Sequence, residues 1–349
     1  MTSPSPWWMP DRHADRRPAL LLRAKIKSAI RAWFEAQGFL EIDAACLQVS
    51  PGNETHLDAF KTELLASDLA ARPLYLATSP EFAMKKLLAA GEQKIVSFAP
   101  AFRNRERGAL HAPEFTMLEW YRAGAPYEAV MDDAAAVLAL ASETADNRLF
   151  SFRGRTSNPR AAPERLTVAQ ALSRHTGLDI LSTVTRDGRG RDRLAALAEA
   201  AGITAAADDT WSDIFSKLIA ALIEPKLGIG RATLLTEYPA SEAALARVKP
   251  EDPRVAERFE LYCCGVELAN GFGELTDPAE QRRRLDSQMA EKQRRYGERY
   301  PIDEDFIAAL AHMPPAAGCA MGFDRLVMLA TGAERVEQVI WTPLPDQGK

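Results

Sequence analysis

Residues 101–121 read AFRNRERGALHAPEFTMLEWY, which sets Arg103, His111 and Glu119 among Phe102, Phe115, Trp120 and Tyr121. A solvated charged face would not carry those rings, and a plain buried strand would not carry those charges. The flanking runs KIVSFAPAFR and FTMLEWYRAG read as two strands joined by the polar loop NRERGALHAPE. Arg103 then stands at a strand end, where a guanidinium can hold a phosphate or carboxylate through two hydrogen bonds. If the loop closes a hairpin, His111 returns across the sheet, and Phe115 offers a ring on which a flat base can stack.

Working outward, Leu22, Ile26, Ile30, Trp33 and Phe34 recur at helical spacing between Leu20 and Gln37, and Gly38 marks a stop. Residues 1–19 ahead of them read as an arm rich in Pro, Arg and Trp. FLEIDA and RPLYLATS read as strands, SPGNETHLDAF as a loop, and PEFAMKKLLAAG as a helix opened by Pro80 and closed by Gly91. YEAVMDDAAAVLALASETA is helical. Residues 147–165 look irregular, and three helical runs follow, so a helical insertion is expected at about 150–230 within a unit spanning 20–349. RATLLTEYP, then a pair of strands in ERFELYCCGVELANGFGELTD, then GCAMGFDRLVMLATGA complete the chain. Strands with hairpin-like links predict an α+β fold, a mostly antiparallel sheet flanked by helices. Neither GxxxxGK[ST] nor GxGxxG is present, so a nucleotide would bind by another design.

With 47% hydrophobic and 26% charged residues, the chain is that of a globular protein with a substantial core. Its net charge of -5 argues against a binder driven by phosphate neutralisation. The basic run QRRRLDSQMAEKQRRYGERY is interleaved with acids and reads as a solvated helix face. Cys46, Cys263, Cys264 and Cys319 match no zinc spacing and read as free thiols. No signal peptide and no run of about 18 apolar residues is evident, so a cytoplasmic protein without a membrane span is expected.

Two further stretches carry chemistry. Glu260, Glu267 and Glu274, spaced by seven, lie among apolar residues, and buried carboxylates need a metal or a cationic ligand. Mg²⁺ on a nucleotide takes one or two carboxylates plus phosphate oxygens. In GCAMGFDRL the small residues 318, 320 and 322 clear one strand face for a ligand, and Arg325 follows at a helix start.

These segments resemble the class II aminoacyl-tRNA synthetases. FRNRERGALHAPEFTMLEWY is similar to their motif 2 in its lysine form, GCAMGFDRL to motif 3, GVELANGFGELTD to the lysine pocket, and TSPEFAMKKLLAAG to the stretch that holds the substrate amino group. The likeness runs from about residue 23 to about residue 343. The motif 1 helix is expected some 20 residues from Met1, so no anticodon-binding domain is expected ahead of it. That form resembles the elongation factor P lysine ligases, synthetase paralogues that activate (R)-β-lysine and pass it to a lysine side chain of the translation factor.

The resemblance implies ATP and Mg²⁺ as cofactors. Arg103 is expected at the α-phosphate and the substrate carboxylate, His111 near the outer phosphates, Phe115 on adenine and Arg325 on the γ-phosphate. Asn104, Arg105, Ala112, Leu268 and Gly322 fall at the nucleotide. Glu260 and Glu267 would hold Mg²⁺. Glu274 with Tyr121 would bind the ε-ammonium, and Glu81 with Glu119 the second amino group. Ser79, Pro80, Asn270 and Ala320 complete the amino-acid pocket, Ser79 and Ala320 standing where the tRNA enzymes carry Ala and Gly. Two positions depart from the family: Arg105 replaces a motif 2 Glu, with Glu106 beside it, and Ala45 replaces a motif 1 proline. The resemblance implies a homodimer that acts on elongation factor P with β-lysine or lysine, and not on tRNA. The alternatives are a lysine–tRNA ligase without its anticodon domain and a catalytically silent amino-acid sensor.

Overall fold

The computed structural model describes residues 6–68, 70–185, 189–243 and 245–344. The hairpin at the centre of the sequence reading forms. Strands β5 (Lys94–Phe102) and β6 (Glu114–Ala123) run antiparallel, with Phe102 opposite Glu114. Pairing continues antiparallel from β6 to β14 (Ala316–Gly322), β13 (Val266–Gly273), β12 (Arg258–Cys263) and β11 (Thr233–Thr236). Only the edges are parallel: β1 (Leu40–Glu41) on β5 and β9 (Glu164–Thr167) on β11. The result is an eight-stranded sheet, antiparallel inside its two edges, as the α+β expectation requires. Two smaller sheets accompany it. One joins β2 (Leu47–Gln48), β4 (Ala71–Leu76) and β3 (Lys61–Leu65); the other joins β10 (Gly230–Arg231), β8 (Arg155–Asn158) and β7 (Phe150–Phe152).

Strand alternation divides the large sheet into a core face and a site face. Leu118 and Trp120 of β6, Phe259 and Leu261 of β12, and Cys319 and Met321 of β14 point into one buried core. Helices α1 (Pro10–Ala36), α3 (Tyr127–Thr144) and α9 (Phe323–Thr331) cover that face with Phe34, Val137 and Leu326. Residues one step out of phase, Glu119, Tyr121, Glu260, Gly318 and Ala320, are left for the other face. There α2 (Glu81–Ala89) packs beside the strands, with α7 (Pro278–Tyr296) and α8 (Glu304–Leu310) behind it. On α7 the basic run forms exposed pairs such as Arg283–Glu280 and Arg294–Glu291, the solvated face expected of it, but Lys292 of the same run is buried against Asp58. All four cysteines are free.

Two boundaries differ from the sequence reading. The first helix starts at Pro10, not Leu20, so the expected arm is helical over most of its length; residues 1–5 lie outside the described residues. Pro10 suits a first helical position, while the polar composition and Pro18 inside the helix hid its continuity. The helical insertion also begins later than about residue 150. Phe150–Phe152 and Arg155–Asn158 form a hairpin, joined by Arg153 (φ 48) and Gly154 (φ 78), the left-handed pair a two-residue hairpin turn requires. Helices α4 (Val168–Thr176), α5 (Gly190–Ala200) and α6 (Trp211–Leu218) then build a lobe around Leu172, Leu194 and Ile214. Leu235 and Tyr262 tie that core to the sheet.

One buried ion pair pins the elements nearest the site. Arg23 of α1 pairs with Asp324 of α9. Asp324 also accepts from Thr116 N at 2.7 Å, and Arg23 donates to Thr116 Oγ1 at 2.8 Å. Burial pushes the Asp324 carboxyl up from its ordinary range against the pull of Arg23. Arg23→Ala should therefore destabilise the fold by about 3–5 kcal/mol, because it strands a buried carboxylate. Adding Asp324→Ala should recover part of that loss in urea unfolding, and strictly additive losses would mean that the two side chains do not act as a pair.

Candidate active site

A cavity of about 330 Å³ opens on the site face of the sheet. Its wall brings together all but three of the residues expected there: Ser79, Glu81, Arg103, His111, Ala112, Phe115, Glu119, Tyr121, Glu260, Glu267, Leu268, Asn270, Glu274, Ala320, Gly322 and Arg325. Pro80, Asn104 and Arg105 lie outside the wall. Arg105 has φ 63, which turns its exposed side chain away to Asp58 at 3.4 Å, while the neighbouring Glu106 lines the cavity. Of this pair of residues, Glu106 and not Arg105 faces the cavity.

At one end the cavity is cationic. Arg103 lies over the Phe115 ring at 5.4 Å and donates from Nε to Thr78 O at 3.3 Å, leaving its terminal nitrogens toward the cavity. Arg325 is fixed from three sides: Nε donates to Leu110 O at 3.1 Å, Nη1 to Glu267 O at 2.9 Å, and Nη2 meets His111 Nε2 at 2.8 Å. Burial, then the charge of Arg325, hold His111 below its ordinary pKa, so its Nε2 accepts from Arg325 and Nδ1 carries the proton. Asp324, the neighbour of Arg325 in sequence, is engaged by Arg23.

The opposite end is anionic. Glu119 is buried, accepting from Tyr121 Oη at 2.6 Å and Ser79 Oγ at 2.8 Å. Burial and the neighbouring Glu81 push its carboxyl up to about 8, against those two hydrogen bonds. Glu274, also buried, is pushed up to about 7 by burial, with Lys85 pulling the other way. Lys85 Nζ, without exposed surface, lies 2.6 Å from Glu81 and 2.5 Å from Glu274. Asn270 Oδ1 is buried and has no donor among the described residues. The small residues 318, 320 and 322 line the cavity, but the room over Gly318 is taken by protein and not left for a ligand, because a Cβ there would overlap the Tyr121 ring and Glu274 Oε1.

Between the ends, Glu260 accepts from Arg258 Nη2 at 2.8 Å and from Tyr262 Oη at 2.6 Å. Glu267 exposes its carboxylate to the cavity; desolvation there and the charge of Glu260 raise its pKa. Glu224 is pushed up to about 7 by burial and by the charges of Glu260 and Glu267. Such mutual repulsion fits a cation. No cluster of three or more His, Cys, Asp or Glu among the described residues could hold a metal by itself. Glu260 and Glu267 therefore suit an ion shared with an anionic ligand.

Sequence reasoning missed Lys85 and Arg258. Lys85 stands four residues after Glu81 on one helix face, and Arg258 two before Glu260 on one strand face, so spacing alone could have flagged both.

The chain matches the tRNA synthetases class II (D, K and N) over residues 7–345. It is 40% identical over 331 residues to a protein of Hamiltonella defensa named elongation factor P–(R)-β-lysine ligase, covering 93% of this chain and 94% of that one. A Vibrio cholerae protein of the same name is 38% identical over 342 residues, 97% of this chain and 98% of that one. A third, from Edwardsiella ictaluri, is 40% identical over 323 residues, 92% and 93%.

Glu119 supplies a pH test of the anionic end. With its carboxyl near 8 in the free protein, it is protonated below that pH, and a ligand bearing ammonium groups must displace the proton. The complex binds fewer protons than the free protein, so affinity for a diamino acid should rise as pH increases toward 8. Titration calorimetry in two buffers of different ionisation enthalpy should register the released protons, and Glu119→Gln should reduce their number, Glu274 supplying the remainder. Buffer-independent heats in the unaltered protein would show that Glu119 does not titrate on binding.

Proposed function

Because the chain belongs to the family of class II tRNA synthetases (D, K and N), we propose that it is an ATP-dependent ligase that activates (R)-β-lysine, or lysine, as an aminoacyl-adenylate. The acyl group then passes to the ε-amino group of a lysine on elongation factor P. The observation that carries this reading is the set of acceptors at the anionic end: Glu81, Glu119 and Glu274 around the cavity, with the donorless Asn270 Oδ1. Asn270 Oδ1 lacks a donor, and the three carboxylates carry more negative charge than the single cation Lys85 offsets; an amino acid with two ammonium groups supplies what is missing. The relatives' names support the same substrate and acceptor.

Activation forms a bond between a substrate carboxylate oxygen and the α-phosphorus, and pyrophosphate leaves. Arg103 stabilises the charge that builds on the α-phosphate and carboxylate, and a fixed donor is worth most where charge develops. Phe115 carries the adenine ring, with Glu106 in place of the family's Glu near the base. Arg325 and the Nδ1–H of neutral His111 take the outer phosphates. Mg²⁺ held by Glu260 and Glu267 would neutralise phosphate charge and favour a bent triphosphate. Tyr121 and Ser79 keep Glu119 oriented, and Lys85 favours the ionised form of Glu274 against its burial. In the second step the acceptor amine attacks the carbonyl carbon and AMP leaves.

The reading includes a homodimer in the cytoplasm. Leu40, Leu47, Val49, Leu64 and Leu65 are all about half exposed and fall within one short stretch of chain, apolar surface that a second copy would cover.

Labelled β-lysine, ATP and equal amounts of elongation factor P and tRNA test the reading directly. Label should enter the protein as an amide on lysine. Label in tRNA alone would overturn it, and no pyrophosphate exchange with any lysine isomer would point to a silent sensor. Glu274→Gln should raise the amino-acid KM by 30-fold or more while sparing the ATP KM, since stripping one partner from a desolvated charge pair costs about 2–5 kcal/mol. Ala320 stands directly opposite Glu119 on the neighbouring strand. Ala320→Gly should shift kcat/KM from β-lysine toward α-lysine by roughly tenfold, the scale of a single methyl group; an unmoved ratio would remove Ala320 from isomer selection.

A further inference from the structure

Glu54 has no task in the chemistry above, yet the loop around it is built to hold it. Thr78 donates from N and Oγ1 to Pro51 O at 3.1 and 2.6 Å. Ser50 Oγ donates to Asn53 Oδ1 at 3.1 Å, and Asn53 Nδ2 donates to Pro301 O at 3.1 Å. Thr55 Oγ1 donates to Gln288 O at 3.0 Å, and Asn104 N donates to Asp58 O at 2.7 Å. Asn53 and Thr55 are buried; Glu54 between them is exposed. Its carboxylate makes no hydrogen bond or ion pair with any described residue. The rigid loop thus presents one unpartnered carboxylate.

That carboxylate faces two spaces at once. Beside the active-site cavity lies a second cavity of about 520 Å³, and Glu54, Ser79, Glu81, Leu245 and Arg258 line both. The second reaches past Ser212 and Asp213 of α6 to Gln288 and Arg295 of α7. The charges around Glu54 come from four elements: Arg103 at the end of β5, Arg258 on β12, Glu81 on α2 and Glu106 in the β5–β6 loop. Glu54 exposes its surface to these cavities, where the surrounding protein desolvates the carboxyl and raises its pKa, with Arg103 opposing. Of the neighbouring carboxylates, Glu81 is held by Lys85 and Glu119 by Tyr121 and Ser79.

We propose that the second cavity is the port through which the acceptor lysine side chain reaches the activated carbonyl, and that Glu54 takes the proton from its ammonium. The inference rests on the ligase reading given above. The acceptor enters as an ammonium, and one N–H proton passes to the Glu54 carboxylate, which frees the lone pair. The nitrogen attacks the adenylate carbonyl carbon and a C–N bond forms. The C–O bond to phosphorus-bound oxygen breaks, and its electron pair leaves with AMP. The adduct's second N–H proton goes to the departing phosphate, so the products are the amide, AMP and a protonated Glu54 that then returns its proton to water.

The test separates activation from transfer. Glu54→Gln should slow single-turnover transfer from preformed adenylate to elongation factor P by about 100-fold or more, the usual share of a positioned base. Pyrophosphate exchange should fall by less than about fivefold. Capture of the adenylate by hydroxylamine, which is neutral at pH 7 and needs no base, should match the unaltered protein. The transfer deficit should shrink as pH rises toward the ordinary lysine pKa of about 10.4, and Glu54→Asp should restore part of the rate. Ser212→Trp, which narrows the second cavity alone, should raise the KM for elongation factor P at least tenfold without altering hydroxylamine capture. Unimpaired transfer by Glu54→Gln, or exchange and hydroxylamine capture falling in step with transfer, would overturn the role of Glu54. An unchanged KM in Ser212→Trp would overturn the port. Failure of the unaltered protein to label elongation factor P would overturn the ligase reading itself, a result that neither variant can produce.

Discussion

The ammonium of Lys85, held 2.6 Å from Glu81 and 2.5 Å from Glu274, is the contact on which the rest of the pocket depends. Three carboxylates crowded out of water would otherwise neutralise themselves by taking up protons. Even with Lys85 present, Glu119 and Glu274 are pushed up to about 8 and about 7. Glu81, Glu119 and Glu274 against Lys85 leave two net negative charges when all are ionised, the complement of a substrate with two ammonium groups. Lys85 also ties structure to chemistry. It shares α2 with Glu81 and reaches Glu274 just beyond the end of β13, so the helix cannot move from the sheet without breaking the charge balance.

The sheet does the remaining positioning through parity. Glu119 and Tyr121 face the cavity because they are two apart on β6, and Trp120 between them faces the core. The same alternation explains why the stripe at 318, 320 and 322 was legible in the sequence. It does not explain the carboxylates on β13, since Glu267 and Glu274 are seven apart and would face opposite sides of a regular strand. A bulge resolves this: Leu261 pairs with Ala269 but Tyr262 with Glu267, so Leu268 is an extra residue. The bulge shifts the phase once, and Glu267, Asn270 and Glu274 all line the cavity. Sequence spacing carries no signal for a bulge of this kind, because its cause is the pairing with β12.

What else stayed hidden has similar causes. The central hairpin, the family motifs and nearly every site residue could be read because local pattern and chemistry coincide there. The outward turn of Arg105 could not, since it needs a left-handed backbone that the residue type does not advertise. The hairpin at Phe150–Asn158 was masked by the shortness of its strands and by Arg153 at its turn, although Phe150 and Phe152 alternate as a half-buried strand should. Arg258 was overlooked because its role is set by a partner, Glu260, that itself reads as a ligand-binding group.

The cavity is electrically bipolar along its length, and this orders the proposed reaction. Arg103 and Arg325 stand toward one end, Glu81, Glu119 and Glu274 toward the other. A nucleotide triphosphate and a diamino acid can enter together only with phosphates at the first end and ammoniums at the second. The substrate carboxylate and α-phosphate then meet near Arg103, so the charge that selects the two substrates also aligns them for attack. Charge alone cannot tell α- from β-lysine, because both carry two ammonium groups. On the proposed reading, that discrimination falls to neutral detail beside Glu119: the hydroxyl of Ser79, which fixes one carboxylate oxygen at 2.8 Å, and the methyl of Ala320 across the strand pair. The pocket's large electrostatic terms thus choose the class of substrate, and its smallest packing terms choose the isomer.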